Sequence, residues 1–210
     1  IIVYYQKMKF NKIFVAGHNG MLGSAILRQL KKKRKNKIIV SCRSRLNLEN
    51  QLEVDKFFKK NKPEIVFLAA AKVGGILANI KYPADFILKN SLIQNNIFIS
   101  SIKYNVKRLI FLGSSCMYPK NFSKKIKEDD ILSSYPEDTN RAYAIAKISG
   151  LIMCESFNQQ YYHGKKKFRC IIPPNLFGPG DNYHKNDSHV IAALIKKFHE
   201  AKKYKKKQVE

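Results

Sequence analysis

What most limits this chain is an alternation: five short apolar runs, each followed by a longer amphipathic stretch. Continuous apolar runs of this length are strands buried on both faces, and helices between them make the crossovers of a parallel sheet. Lys12-Ile13-Phe14-Val15-Ala16 opens the series. Ile38-Ile39-Val40, Ile65-Val66-Phe67-Leu68-Ala69, Arg108-Leu109-Ile110-Phe111-Leu112 and Phe168-Arg169-Cys170-Ile171-Ile172 follow. A helix is expected from Met21 to Lys33, where Leu22, Ala25, Ile26 and Leu30 form a stripe. Others run from Gln51 to Asn61 ahead of Pro63, from Ala84 to Asn105, from Arg141 to about Tyr161 and from Val190 to about Tyr204. The fold class expected is α/β, a Rossmann-like doubly wound parallel sheet. Asn121 to Asn140 is polar and reads as an irregular loop over the site.

In such sheets ligands bind at the carboxyl ends of the strands. Gly17, Ala69-Ala70-Ala71, Leu112-Gly113-Ser114 and Pro173-Pro174-Asn175 all fall there. Gly17-His18-Asn19-Gly20-Met21-Leu22-Gly23 joins the first strand to the first helix. Its glycines permit a tight turn and close approach of a pyrophosphate, whose charge suits a helix N-terminus. The competing reading is an ordinary glycine-rich turn. After the second strand stands Ser41-Cys42-Arg43-Ser44-Arg45, with no acid to hold a ribose 2′-hydroxyl and two guanidiniums able to pair with a 2′-phosphate. NADP is therefore favoured over NAD, with plain surface arginine as the rival. Residues 1–175 read as an NADP-binding domain and 176–210 as the beginning of a substrate-binding domain.

Tyr143 and Lys147 share one face of the helix that follows the fourth strand. A free tyrosine titrates near 10, and a neighbouring ammonium favours the phenolate, so the lysine is expected to lower that value. The pair is a proton donor for a carbonyl. Ser114 can hydrogen-bond the same oxygen, or merely cap a turn. Cys116 shares the pocket, unless it is a small buried residue like most cysteines. His189 opens the last helix, after Ser188 as expected N-cap.

Net charge is +25, from 40 Lys+Arg against 15 Asp+Glu. The lysines lie in runs such as Lys31-Lys32-Lys33-Arg34-Lys35, Lys165-Lys166-Lys167 and Lys205-Lys206-Lys207, without interleaved aromatics, so solvated surface is preferred to a nucleic-acid role. Cys42, Cys116, Cys154 and Cys170 form no C-x-x-C, and no metal site is expected. No run has the length of a membrane span and no secretory signal opens the chain, which points to a reducing cytoplasm. Met8 is the expected true start.

Together, Gly17-His18-x-Gly20-Met21-x-Gly23, Ala69-Ala70-Ala71-Lys72-Val73-Gly74-Gly75, Tyr82-Pro83-Ala84-Asp85-Phe86-Ile87, Leu112-Gly113-Ser114-Ser115-Cys116-x-Tyr118-Pro119, Tyr143-Ala144-Ile145-Ala146-Lys147 and Asn186-Asp187-Ser188-His189-Val190-Ile191 closely resemble the GDP-L-fucose synthase family of extended short-chain dehydrogenases/reductases. The resemblance implies NADPH-dependent 3,5-epimerisation and C4 reduction of GDP-4-keto-6-deoxy-D-mannose. It implies hydride-transfer roles for Tyr143, Lys147 and Ser114, and proton exchange by Cys116 and His189. Cofactor contacts are expected from Gly17, His18, Asn19, Gly20, Met21, Leu22, Gly23, Arg43, Arg45, Ala70, Ala71, Leu112, Gly113, Lys147, Pro173, Asn175, Leu176 and His189, and a substrate contact from Lys197. A homodimer is implied too. Asn19 departs from the family's frequent arginine, and Pro173-Pro174-Asn175 from its Pro-Thr-Asn. The chain ends about where the family's next strand begins, so it is expected to bind cofactor without turning over the sugar nucleotide. A UDP-sugar 4-epimerase or 4,6-dehydratase shares the fold but needs no Cys116–His189 pair. A non-catalytic dinucleotide-binding remnant is the alternative from another class.

Overall fold

Five parallel strands in the order β2-β1-β3-β4-β5 form the centre of the computed structural model, which describes residues 12–32, 36–121, 125–184, 188–206 and 208–209. The strands are β1 (Lys12–Ala16), β2 (Lys37–Ile39), β3 (Ile65–Leu68), β4 (Arg108–Leu112) and β5 (Phe168–Ile171). The helices are α1 (Met21–Lys32), α2 (Gln51–Asn61), α3 (Ile76–Lys81), α4 (Pro83–Lys103), α5 (Arg141–Tyr162) and α6 (Val190–Lys203). The doubly wound parallel sheet is as expected. Met8, Lys33, Asn186 and Asp187 lie outside the described residues.

Strand side chains alternate between the two faces, and each face has its own core. Phe14, Val66, Leu68, Leu109, Phe111 and Phe168 pack with Val54 and Phe58 of α2, Ile97 and Phe98 of α4 and Cys154 of α5. Ile13, Val15, Ile65, Phe67 and Ile110 pack on the other face against Ile26 and Leu30 of α1. Burial of each large side chain contributes about 1.5–3 kcal/mol, so these two layers dominate what holds the fold.

Local chemistry sets the ends. Asn50 Oδ1 accepts from the amides of Leu52 and Glu53 to start α2, and Lys62, left-handed at φ 46°, closes it. Gln94 of α4 donates to the Ala146 carbonyl of α5 at 2.9 Å. Gly150 of α5 lies on Phe111 of β4 so closely that a Cβ there would be 2.3 Å from the ring. Asn158, near the end of α5, donates to Phe168 O at 2.7 Å and accepts from the amides of Lys167 and Phe168 at 3.0 and 2.9 Å.

Three expectations are corrected. Helix α3 was not foreseen, because Ile76, Leu77 and Ile80 are exposed and leave no stripe toward the core. The 121–140 segment is not wholly irregular: it contains 3-10 turns at Glu128–Asp130 and Asp138–Asn140. The N-cap of α6 is His189, not Ser188. His189 is extended at φ −72°, ψ 158°, its carbonyl accepts from Ala193, and no side-chain cap is made.

Candidate active site

The sheet grows one way from β1 to β2 and the other way from β1 to β3, so their crossovers part at the carboxyl ends of β1 and β3. The glycine turn fills that divide. Gly17 has φ 83°, and a Cβ on it would sit 2.6 Å from Ala70 N, so the turn rests directly on the chain leaving β3. A Cβ on Gly23 would be 2.0 Å from Gly17 O, so α1 packs against the turn itself. Gly20 differs: a Cβ there would meet only Gly17 O, at 3.5 Å, an ordinary contact. Nothing in the packing requires glycine at that position. An open glycine at a helix N-terminus is what a closely approaching pyrophosphate needs, and this turn fits a dinucleotide.

Ala70 and Ala71 leave β3 half-buried, and the next residue is clamped. Lys72 N donates to Asn90 Oδ1 at 2.9 Å, and Asn90 Nδ2 donates back to Lys72 O at 3.0 Å. Pro173, Asn175 and Leu176 follow β5 on the same sheet edge. His18, Met21 and Leu22 are half-buried in the glycine turn, and Asn19 is exposed.

Beyond β2, Arg43 is not a free cation. Its Nη2 lies 2.8 Å from Glu49 Oε1, so the turn supplies an acid that the local sequence lacks. Arg45 is exposed and borders an open cavity of about 450 Å³ with Ile39, Leu46 and Phe57.

The end of β4 and the first turns of α5 bring Ser114, Cys116, Tyr143 and Lys147 together. Ser114 Oγ accepts from Cys116 N at 3.3 Å and so caps the 3-10 turn Ser115–Met117. It also faces the phenol of Tyr143 and favours its ionised form. Burial wins nonetheless: it pushes Tyr143 up to about 12, with Cys116 adding to the rise. The expected lowering by Lys147 is thus corrected. Lys147 Nζ is turned to Leu112 O at 2.7 Å, over the ring of Phe111 at 4.8 Å and 5.7 Å from the centre of the Tyr143 ring. Burial pushes the lysine itself down to about 8. A phenol this high is neutral at physiological pH, which makes it a donor of a proton rather than an acceptor.

Three neighbours were missed. Phe86 of α4 meets the Tyr143 ring edge-on at 6.2 Å. Asn90 was hidden within an amphipathic helix. Asn140 Nδ2 reaches Cys116 Sγ at 3.3 Å, although an asparagine before a helix reads as a cap. Gly113 has no room for a side chain, since a Cβ would lie 2.9 Å from both Cys170 Sγ and Met117 Sδ. His189 stands apart: it is exposed at the start of α6 and hydrogen-bonded to none of the four. Lys197 is exposed on the same helix. Among the described residues no cluster of His, Cys, Asp and Glu could hold a metal, and no helix is long and apolar enough to cross a membrane.

This chain is 47% identical over 194 residues to GDP-L-fucose synthase of Escherichia coli K12 and 48% identical to GDP-L-fucose synthase 1 of Arabidopsis thaliana. Each match covers 92% of this chain, which spans about 60% of the length of these curated relatives. A crystal structure of a GDP-L-fucose synthetase from Naegleria fowleri bound to NADP superposes with TM-score 0.87 at 30% identity, over 97% of this chain and 66% of that one. A GDP-D-glycero-L-gluco-heptose synthase from Campylobacter jejuni, solved in the presence of NADPH, superposes with TM-score 0.86 at 41% identity, over 94% and 57%. The model of the NAD dependent epimerase/dehydratase family matches residues 13–209. With the sheet order, glycine turn and tyrosine–lysine pair already in place, that match settles the family: the chain belongs to the NAD dependent epimerase/dehydratases.

Proposed function

We propose that this chain serves a GDP-L-fucose synthase, converting GDP-4-keto-6-deoxy-D-mannose to GDP-L-fucose with NADPH. The observation that carries the reading is a thiol, Cys116, beside the Ser114–Tyr143 pair, in a chain 47–48% identical to proteins of that name. The C4 ketone of such a sugar acidifies the protons on C3 and C5. Cys116 as thiolate removes a proton, and His189 returns one on the opposite face. Ser114 and Tyr143 donate hydrogen bonds to the enolate oxygen as its charge develops. NADPH, when bound, would supply the hydride for reduction at C4; Tyr143, held neutral by burial, protonates the C4 oxygen. Residues 17–23, Ala70, Ala71, Leu112, Gly113, Pro173, Asn175, Leu176 and His189 would hold the cofactor, with Lys147 at its ribose. Arg43 and Arg45 would meet the 2′-phosphate, and Lys197 the substrate.

On this reading residues 1–175 are the cofactor-binding part and 176–210 begin the substrate-binding part. Exposed Leu88, Leu92 and Ile99 on α4 and Ile145 and Ile152 on α5 are suited to pairing two copies as a homodimer. Four free cysteines suit a reducing, cytoplasmic setting. A GDP-heptose C4 reductase is the second reading, favoured by a solved C. jejuni relative of that name at 42% identity.

The test incubates this chain, completed to the length of its curated relatives, with GDP-4-keto-6-deoxy-D-mannose in heavy water. Deuterium at C3 and C5 by NMR, followed by NADPH oxidation and GDP-L-fucose, is the expected result. Bound NADPH with neither exchange nor oxidation would overturn the proposal, and reduction without exchange would favour the reductase.

A further inference from the structure

Asn140 closes the 3-10 turn Asp138–Asn140 and stands directly before Arg141, the first residue of α5. An asparagine there ordinarily folds its side chain back onto the free amides of its own helix. This one makes no such cap. Its Nδ2 is directed instead to the sulfur of Cys116 at 3.3 Å, a residue 24 positions earlier. The other amide atom, Oδ1, is buried and has no hydrogen-bond partner among the described residues. The side chain therefore gives up a cap and leaves an acceptor unsatisfied, and the sulfur is its one partner. An amide N–H calls for a sulfur that accepts, and a thiolate accepts far better than a thiol.

We infer that Asn140 is a positioning residue for Cys116: its amide N–H donates to the sulfur, fixes it beside Ser114 and Tyr143 and keeps it reactive. This deepens the proposed function and rests on it only for the use made of the thiolate. Were the amide turned over, Oδ1 would accept from S–H and favour the thiol, so the direction of the effect distinguishes the two arrangements. The titratable groups on the surrounding elements are Tyr143 and Lys147 on α5, Cys170 on β5, and Glu137, Asp138 and Arg141 at the entry to α5. Glu137 and Asp138 both pair with Lys120, and Arg141 pairs with Asp138. All are common to the wild type and the variants below.

The experiment needs no substrate. The 210-residue chain is pulsed with iodoacetamide over about pH 6–10, and alkylation is read for each cysteine by peptide mass spectrometry. In Asn140→Ala the alkylation of Cys116 near neutral pH should fall about tenfold. Asn140→Asp keeps the shape but sets a negative charge and no N–H beside the sulfur, and should slow its alkylation further. Cys42, whose thiol is lowered by a hydrogen bond with Ser44 and not by Asn140, should titrate identically in all three proteins. Cys154, buried in the core, must stay unlabelled and so reports that each variant is folded. If the alanine variant unfolds, the isosteric aspartate carries the test. Unchanged alkylation of Cys116, or faster alkylation in either variant, overturns the inference. Alkylation that behaves as stated, with no exchange at C3 and C5 in the chain completed to its relatives' length, would overturn the proposed function and leave this inference standing.

Discussion

The buried ammonium of Lys147 stands 2.7 Å from the carbonyl oxygen of Leu112, tying the second turn of α5 to the last residue of β4. One hydrogen bond thus aligns the helix that carries Tyr143 with the strand end that leads into Ser114. It also commits the lysine to the backbone rather than to the phenol, and leaves burial to hold Tyr143 protonated.

The lysine should leave a signature in stability. Its value falls from 10.5 to about 8 on folding. Below about pH 8 both states hold the proton, and the buried charge costs stability. Between about 8 and 10.5 the folded chain has released a proton that the unfolded chain keeps, so stability rises with pH. Relative to Lys147→Met, the wild type should gain about 3 kcal/mol from neutral pH to about pH 10.5. Urea denaturation across that range measures it. A difference independent of pH would contradict the assignment.

The glycines should separate by role. Gly23→Ala forces a Cβ against Gly17 O and should lower the melting temperature markedly, since the clash is with backbone. Gly20→Ala meets only an ordinary contact, so the melting temperature should hold while NADPH affinity drops about tenfold or more. Thermal melts and cofactor titration by fluorescence give both numbers. Undiminished NADPH binding in Gly20→Ala would remove the turn from the cofactor site.

NADPH should be preferred to NADH, with the two arginines unequal. Arg45→Glu should weaken NADPH about tenfold and leave NADH nearly unchanged. Arg43→Glu should do less, because that guanidinium is already shared with Glu49. Glu49→Gln, which frees it, should tighten NADPH. Equal affinity for the two cofactors in the wild type would exclude a 2′-phosphate contact.

Gly150→Ala should destabilise by about 1–3 kcal/mol through overpacking on Phe111, and Phe111→Leu in the same chain should recover most of that loss. Additive losses in the double variant would show that the two sites do not touch.

In a version completed to its relatives' length, the chemistry should divide between two residues. Tyr143→Phe should slow hydride transfer about 100- to 10,000-fold and spare most exchange at C3 and C5. Cys116→Ser should abolish exchange and spare reduction at C4. Deuterium incorporation measured beside NADPH oxidation separates the two, and full exchange in Cys116→Ser would remove the thiol as base.

Much of this was legible because a parallel sheet writes itself as apolar runs. Phe14, Val66 and Phe111 face one core and Ile13, Ile65 and Ile110 the other, so a central strand is apolar on both faces. The glycine turn and Tyr143–Lys147 were legible because fixed spacings carry them. What escaped depended on distance in space. Glu49 is six residues from Arg43, and no pattern joins them. Asn140 stands where a cap belongs, and only the fold brings Cys116 into its reach. The direction of the Tyr143 shift turned on how deeply α5 is buried, and spacing alone does not encode depth. Helix α3 presents its apolar side chains outward and so lacks the stripe by which helices are found.

Asn158 has a consequence outside the site. Strand β5 lies at the edge of the sheet, and its residue Phe168 turns its N–H and C=O away from β4. The Asn158 side chain takes both, as the backbone of another strand would. The edge of a buried-type strand is an open template on which a stray chain can polymerise. Here a single amide occupies the first rung of that ladder and denies it to any intruder. Asn158→Leu should therefore be felt first as aggregation on expression, before any loss of the chemistry carried at the opposite end of the same helix.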